Sequence, residues 1–102
     1  MARGSPRPLE WSEPARLQLA GQVEYVASRG IVRADAVLER IERAAGLIER
    51  HPGIGTPGRR AGTREWPVKD SPLTLIYRIS PKKIQVLAVV HQRQFFRSKV
   101  SE

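Results

Sequence analysis

The 102-residue chain contains no cysteine, which excludes disulfide bonds, zinc–thiolate sites and cysteine nucleophiles. It has no long hydrophobic run either. The longest, 86–90, is far shorter than the roughly 20 residues that a membrane-spanning helix needs. The first eight residues are basic, but no apolar segment follows them as it would in a secretory signal. We therefore expect a cytoplasmic protein that has no contact with a membrane and holds no cofactor or metal ion.

Acidic residues are scarce, since 10 Asp and Glu stand against 18 Lys and Arg, for a formal net charge of +8. The excess lies in the second half of the chain. Residues 1–50 carry eight basic and seven acidic residues, a balance of +1, and residues 51–102 carry ten and three, a balance of +7. Such asymmetry favours a polyanionic partner, either nucleic acid or an acidic protein segment. The alternative is a solvated surface whose charge keeps the protein soluble.

The first half of the chain predicts a short strand followed by two helices. Residues 8–12 alternate between apolar and polar, which favours an edge strand that begins at a proline. Ser12 is a typical helix N-cap, and Ala15, Leu19, Val23 and Val26 follow it at the spacing of one helical face. A second helix is expected after residue 30, and the two would form a helical hairpin. The apolar stripe of this second helix is Ala34, Val37, Leu38, Ile41, Ala45 and Ile48.

In the second half the apolar period changes from about 3.6 residues to two. Residues 51–66 hold four glycines, two prolines and three arginines, which indicates an irregular loop that carries cations. Strands are predicted over 63–69, 73–79 and 84–90. The fold class is therefore α+β, in the order β-α-α-β-β-β, with an antiparallel sheet and the N-terminal helical hairpin packed on one face. We expect a single domain over 1–102, with a flexible N-terminus at 1–7 and a short tail at 98–102.

The ordered set HPGIGTPGR, GTRE, LTLIYRI and KIQVLAVVHQRQ resembles the RelE/ParE superfamily, the toxins of type II toxin–antitoxin modules. The resemblance covers roughly residues 9–97. It implies a cognate antitoxin whose C-terminal segment wraps the toxin, and hence a hetero-oligomer. It also implies one of two activities, because RelE-like members cut mRNA within the ribosome and ParE-like members poison DNA gyrase. A shared fold does not choose between these activities.

The residues favour the ParE-like activity. RelE-like nucleases carry an arginine at the position of Thr74 and a C-terminal tyrosine or histidine, whereas residues 92–102 contain no tyrosine. The segment VLAVVHQRQ is similar to the end of the last strand in ParE-like toxins. We therefore expect a non-enzymatic inhibitor of DNA gyrase. The alternative is a ribosome-dependent mRNA endoribonuclease with His91, Arg78 and Arg93 as catalytic residues, and a third hypothesis is a protein that only binds its antitoxin.

Six arginines are the candidate contacts with the target or the antitoxin: Arg59, Arg60, Arg64, Arg78, Arg93 and Arg97. Several of them also have a structural interpretation. Arg59 and Arg60 could lie in a solvated loop, and Arg64 could tie that loop to strand backbone through its planar guanidinium. Arg78 could pair with Glu65 on a neighbouring strand.

His91 ends the last predicted strand. Strict alternation places it on the same face as Leu87, Val89 and Arg93, and opposite Val86. On a functional face its imidazole could serve as acid or base near neutral pH, and the alternative is a hydrogen bond at the sheet edge.

The aromatic residues are divided between two interpretations. Tyr25 and Trp66 are expected to pack in the core or on the sheet. Trp11 and the pair Phe95 and Phe96 could dock an antitoxin segment or close the core.

Overall fold

Five strands and two helices make up the fold in the computed structural model, which describes residues 7–30 and 32–92. The helices are α1 (Glu13–Ser28) and α2 (Ala34–Arg50), and a 3-10 turn, Pro52–Ile54, follows α2. The strands are β1 (Leu9–Trp11), β2 (Thr56–Pro57), β3 (Arg64–Pro67), β4 (Leu73–Ile79) and β5 (Ile84–His91). They form one sheet in the order β1-β5-β4-β3-β2. The predicted α+β class and the helical hairpin are confirmed.

The sheet is mixed, and in this respect it differs from the predicted antiparallel sheet. Strands β2 to β5 pair antiparallel, but β1 pairs parallel with β5, with Leu9 opposite Ile84 and Trp11 opposite Val86. Alternation of side chains identifies a strand but carries no information about its direction. Parallel neighbours need a long crossover, and the helical hairpin lies within the connection between β1 and β5. The two-residue strand β2 within the predicted loop was not expected either.

Helix α1 begins as its sequence predicts. The Ser12 side chain accepts a hydrogen bond from the Ala15 amide, with 3.2 Å between Oγ and N. Ala15 and Val26 are buried, and Leu19 and Val23 pack partly buried against the core. The predicted apolar face is therefore confirmed.

Helix α2 buries a continuous stripe against the sheet. Leu38, predicted as part of the stripe, is 37% exposed instead. Ala34, also predicted in the stripe, is exposed, and Ala44 is buried instead, so the buried face of α2 lies further round the helix than the pattern indicated. Its buried residues are Val37, Ile41, Ala44, Ala45 and Ile48.

Strands β4 and β5 supply the other side of the core. Leu73, Leu75 and Tyr77 alternate along β4 and are buried against the helices. The residues between them point to the opposite side of the sheet, which we call the open face. Thr74, Ile76 and Arg78 belong to this face and retain solvent exposure.

The pairing of β4 with β5 contains a β-bulge. Ile76 lies opposite Ala88, but the next residue, Tyr77, lies opposite Val86, so Leu87 has no partner in the register. A bulge of this kind reverses the alternation of side chains beyond it. The predicted parity of β5 is therefore wrong: Val86, Val89 and His91 share the helix-facing side, although they are separated by three and two residues.

Candidate partner-binding groove

A groove of about 660 Å³ lies on the open face. One wall is the start of α1, with Ser12, Pro14 and Gln18. The floor is apolar and the opposite wall is cationic, so we refer to this feature as the basic groove. The floor consists of Ile76, Leu87, Ala88 and Val90, and the cationic wall consists of Arg59, Arg60, Thr63, Glu65 and Arg78.

Residues at the start of α1 form hydrogen bonds with β5 around its β-bulge, which lies in the floor of the basic groove. The Ser12 amide donates to the Val86 carbonyl at 3.0 Å, and its hydroxyl donates to the Leu87 carbonyl at 3.4 Å. The Val89 amide donates to Gln18 Oε1 at 2.9 Å. These contacts satisfy backbone groups of β5 beyond the point where β1 ends. Two successive residues, Leu87 and Ala88, consequently line the groove.

The loop after α2 is anchored to the sheet by a buried tyrosine. The Tyr77 hydroxyl donates to the Pro52 carbonyl at 2.5 Å and accepts from the Gly55 amide at 2.9 Å. A Cβ at residue 55 would lie 2.7 Å from that hydroxyl oxygen and 2.9 Å from the Glu65 carbonyl oxygen, so only glycine fits. Burial raises the pKa of Tyr77, against the opposing effects of the Gly55 amide and the Arg64 charge, and the hydroxyl stays a neutral donor.

Arg64 reinforces this anchor. Its Nη1 donates to the Gly55 carbonyl at 2.6 Å and to the Gly53 carbonyl at 3.4 Å. This is the tie between loop and strand that the sequence predicted as its structural role. Because Arg64 lies opposite Tyr77 in the register, its side chain is on the helix-facing side and away from the basic groove.

The tip of the loop presents two arginines at the groove. The Gly58 amide donates to the Thr63 carbonyl at 2.7 Å, and the Thr63 hydroxyl donates to the Arg60 carbonyl at 2.7 Å. A Cβ at residue 58 would overlap Thr63 Oγ1 at 2.2 Å, and Gly62 has a φ of 81°. Both glycines are therefore required by the tight turn.

The cationic wall is only partly neutralised. Glu65 Oε2 accepts from the Arg59 amide at 3.2 Å and lies 3.8 Å from Arg59 Nε. The pair between Arg78 and Glu65, one of the two interpretations of Arg78, is not formed, and the carboxylate lies beside Arg59 instead. Within residues 7–30 and 32–92, Arg60 and Arg78 form no ion pair, and both are exposed.

His91 lies on the other side of the sheet. It is opposite Leu73, a core residue, and its ring meets the Tyr25 ring edge-on, with centroids 5.5 Å apart and planes at 84°. Arg78 is opposite Gln85 on the open face. The structure therefore does not bring His91 and Arg78 together.

Some candidate residues lie outside the described part of the chain, namely Arg93, Arg97, Phe95 and Phe96.

The remaining aromatic residues pack within the fold. Trp11 and Trp66 are partly buried against the core, whereas Tyr25 is 39% exposed and packs against His91 of the sheet rather than in the core.

Residues 7–30 and 32–92 lack two further classes of site, a metal-binding cluster and a membrane-spanning helix. No group of three or more histidine, aspartate or glutamate residues in that part of the chain could hold a metal ion. None of its helices has the length and apolar character needed to cross a membrane.

Sequence reasoning missed the role of α1 in the groove. Ser12 and Leu87 are 75 residues apart in the chain, and Gln18 and Val89 are 71 apart. Only the parallel pairing of β1 with β5 brings them together, and that pairing leaves no local signal.

Known proteins resemble this chain in sequence. A family profile described as the ParE toxin of the type II toxin–antitoxin system parDE matches residues 9–96. A Sinorhizobium fredii protein named as a candidate toxin, Y4kP, is 31% identical over 90 residues, which cover 88% of this chain and 93% of that protein.

Solved structures resemble it in fold. The chromosomal ParDE toxin–antitoxin system of P. aeruginosa has a TM-score of 0.74 at 18% identity, covering 84% of this chain and 96% of that one. The RelBE2 complex of Mycobacterium tuberculosis has a TM-score of 0.61 at 24% identity, covering 87% and 94%. The E. coli DinJ–YafQ complex has a TM-score of 0.56 at 16% identity, covering 90% and 99%.

Proposed function

The chain belongs to the ParE toxin family of type II toxin–antitoxin systems, and on that premise we propose that it is a non-enzymatic inhibitor of DNA gyrase. A cognate antitoxin neutralises it, and both act in the cytoplasm. The solved proteins that share its fold come from toxin–antitoxin systems of both the ParDE and the RelBE kind, so the residues must support the choice of target.

The observation that carries the proposal is the separation of His91 from Arg78. RNA cleavage needs a group that accepts or gives a proton within about 3 Å of the reacting oxygen, beside a cation that stabilises the phosphorane. The basic groove has the cations, but its one carboxylate, Glu65, is engaged by Arg59. The imidazole of His91 lies across the sheet. This arrangement favours binding over acid–base chemistry.

The groove has the chemistry of a protein-binding surface. Its floor of aliphatic side chains is suited to apolar residues of a partner, and Arg60 and Arg78 stand beside it without ion pairs to described residues. An acidic, partly apolar segment would bury the floor and meet the two guanidinium groups. We assign this surface to the antitoxin and to gyrase, so that occupancy by one excludes the other.

A ribosome-dependent endoribonuclease is the second candidate. It is favoured by one observation, the presence of three arginines along a single groove where a phosphate could be held. In this alternative His91 would have to supply the proton transfer from the other side of the sheet, which the geometry disfavours.

The test is DNA supercoiling by purified gyrase in the presence of the antitoxin-free protein, run beside a translating-ribosome reaction whose mRNA is mapped for cuts. We expect loss of supercoiling with intact mRNA. His91→Ala should leave that inhibition unchanged, because the imidazole has no part in it. Cuts placed by codon with unaffected supercoiling would overturn the proposal in favour of the endoribonuclease.

A pair of double variants separates the groove from the general positive charge. Arg60→Gln combined with Arg78→Gln should weaken inhibition about tenfold or more, since both cations border the groove. Arg33→Gln combined with Arg43→Gln removes the same charge from exposed residues paired with Asp35 and Glu39. Equal losses in the two double variants would contradict the assignment of the groove.

A further inference from the structure

A second concavity, of about 470 Å³, lies on the helix-facing side at the end of β5. The last turn of α1 and the turn between β3 and β4 form its sides, and His91 closes one end. We call it the His91 cup. Its volume is in the range of pockets that hold a small ligand or an anchoring side chain. The proposed function does not use it.

One side of the cup is an exposed aromatic ring with fixed neighbours. Tyr25 keeps 39% of its surface exposed although it borders core residues. His91 meets the ring edge-on, and the Arg29 guanidinium carbon lies 5.5 Å from the ring centroid. Stacking restricts the guanidinium without consuming its charge. Within the described ranges 7–30 and 32–92, Arg29 makes no ion pair.

The rim of the cup is preorganised. Asp70 adopts a φ of 61°, and Arg40 Nη1 of α2 donates to its carbonyl at 2.6 Å. The Gln92 amide donates to the Pro72 carbonyl at 2.7 Å. The turn is thus fixed to α2 and to the end of β5 at once. A residue held in the left-handed region by its neighbours is common at binding sites.

We propose that the His91 cup receives one glutamate or aspartate side chain of the antitoxin, its stem against Tyr25 and Pro72 and its carboxylate facing Arg29. Arg29 forms no ion pair among the described residues and lies beside the apolar walls of the cup, which matches a single anion on an apolar stem. Asp70 also lines the cup and opposes any anion there, so the successive phosphates of a nucleic-acid backbone fit less well than one carboxylate does.

The position of the cup defines how a partner would use it. The basic groove is on the open face and the cup is on the helix-facing side, so one chain that occupies both must pass around the sheet. Two linked contacts of this kind bind more tightly than either alone. That the partner is the antitoxin rests on the proposed function, whereas the preference of the cup for a carboxylate can be measured without any partner or target.

The absence of native cysteine allows a direct measurement by disulfide tethering. Gln92→Cys places a single thiol on the rim, where the native backbone hydrogen bond to Pro72 is kept. The full-length variant is equilibrated with disulfides of mercaptobutyrate, aminobutanethiol and mercaptobutyl phosphate under a competing thiol. Ala20→Cys, an exposed site on α1, reports the preference for anions that the net charge of +8 creates everywhere.

We expect the ratio of carboxylate to amine adduct at Gln92→Cys to exceed that at Ala20→Cys about fivefold, the scale of one favourable ion pair. Arg29→Gln in the Gln92→Cys background should return the ratio to the Ala20→Cys value. Equal ratios at the two thiols, or an excess that survives Arg29→Gln, would overturn the proposal.

The phosphate probe tests the role of Asp70. The carboxylate adduct should outnumber the phosphate adduct at Gln92→Cys, and Asp70→Asn should remove that difference, since asparagine also tolerates a positive φ. A phosphate adduct that dominates in the native Asp70 background would assign the cup to phosphates and overturn the carboxylate assignment. Neither result depends on gyrase inhibition, so failure here leaves the supercoiling test intact.

Discussion

The two faces of β4 show how differently neighbouring residues are constrained. Leu75 and Tyr77 are fully buried, at 0% exposure, and contact the helices and the loop. Ile76 and Arg78, each one residue further along, line the basic groove. The helix-facing side is determined by packing within the chain. The open face is an apolar floor with cations beside it, the composition that the proposed function assigns to a partner-binding surface.

Under the proposed function, the helix-facing side stabilises the fold and the open face binds the partner. Substitutions on the helix-facing side should lower the free energy of unfolding, because buried side chains lose both transfer energy and contacts. Substitutions on the open face should leave the free energy of unfolding nearly unchanged and lower the affinity for the partner.

The largest effect is expected from Leu75→Ala. It should lower the free energy of unfolding by about 2–5 kcal/mol, because it opens a cavity under both helices. Ile76→Ala is the matched control on the same strand, and it should cost less than about 1 kcal/mol while weakening the antitoxin or gyrase contact. Urea denaturation followed by circular dichroism measures the free energy of unfolding of both variants. Similar losses for the two variants would show that the faces are not separable.

Gly55→Ala should destabilise the protein by about 1–3 kcal/mol through overpacking. The φ of Gly55 is −72°, which any residue adopts, so the cost is purely the contact of the new methyl group with Tyr77 and the Glu65 carbonyl. Gly53→Ala, two residues earlier, has nothing within 4 Å of the added methyl and is the control. Thermal unfolding of the pair measures the difference, and equal melting temperatures would rule out the steric explanation.

Tyr77→Phe should cost about 1–2 kcal/mol, because it leaves the Gly55 amide and the Pro52 carbonyl without their shared partner. The Arg64 contact with the Gly55 carbonyl persists and limits the loss. Arg78→Gln, the adjacent residue on the open face, should change stability by less than about 0.5 kcal/mol. A Tyr77→Phe variant as stable as the native chain would mean that the loop is held by Arg64 alone.

The same hydroxyl predicts an alkaline effect. Burial raises the folded-state pKa of Tyr77 above the unfolded value of about 10. Its neutral form therefore stabilises the fold fully below that unfolded value, and the contribution is lost as the pH rises through the folded pKa. The native protein should lose more stability than Tyr77→Phe on going from about pH 9 to pH 11. Parallel denaturation curves at the two pH values provide the measurement.

Local pattern was sufficient for the elements and for most of the core. The Ser12 cap, the apolar face of α1 and strands β3 to β5 follow from residues within a few positions of one another, although β3 is shorter than the predicted 63–69. The direction of β1 and the parity of β5 do not. The bulge at Leu87 depends on hydrogen bonds from residues more than 70 positions away, so strict alternation placed His91 with Leu87 when it belongs with Val86 and Val89.

The candidate site was predictable only in part, for a related reason. Composition located the positive charge in the second half of the chain, and Arg59, Arg60 and Arg78 do meet in one groove. The geometry of the loop determines which arginine pairs with the Glu65 carboxylate. The turn places the Arg59 amide beside that carboxylate, so Glu65 pairs with Arg59. The contact of Tyr25 with His91 likewise forms only in the tertiary structure, whereas Arg29 reaches the ring from one helical turn away.

Gln18→Ala is expected to give the smallest loss of stability. It tests the hydrogen bond between Gln18 of α1 and the Val89 amide of β5. The Val89 amide loses its acceptor, but solvent can reach this site and alanine favours the helix, so the free energy of unfolding should fall by only about 0.5–1 kcal/mol. Hydrogen exchange of the Val89 amide is the more sensitive measurement, and its protection should drop while that of Val86, which is paired with β1, is kept. Gln18→Glu retains an acceptor oxygen, so it should keep the protection of Val89 and yet weaken an acidic partner by placing a negative charge in the wall of the basic groove. Unchanged exchange at Val89 in Gln18→Ala would show that the bulge persists without α1, and the shape of the groove would then be a property of the sheet alone.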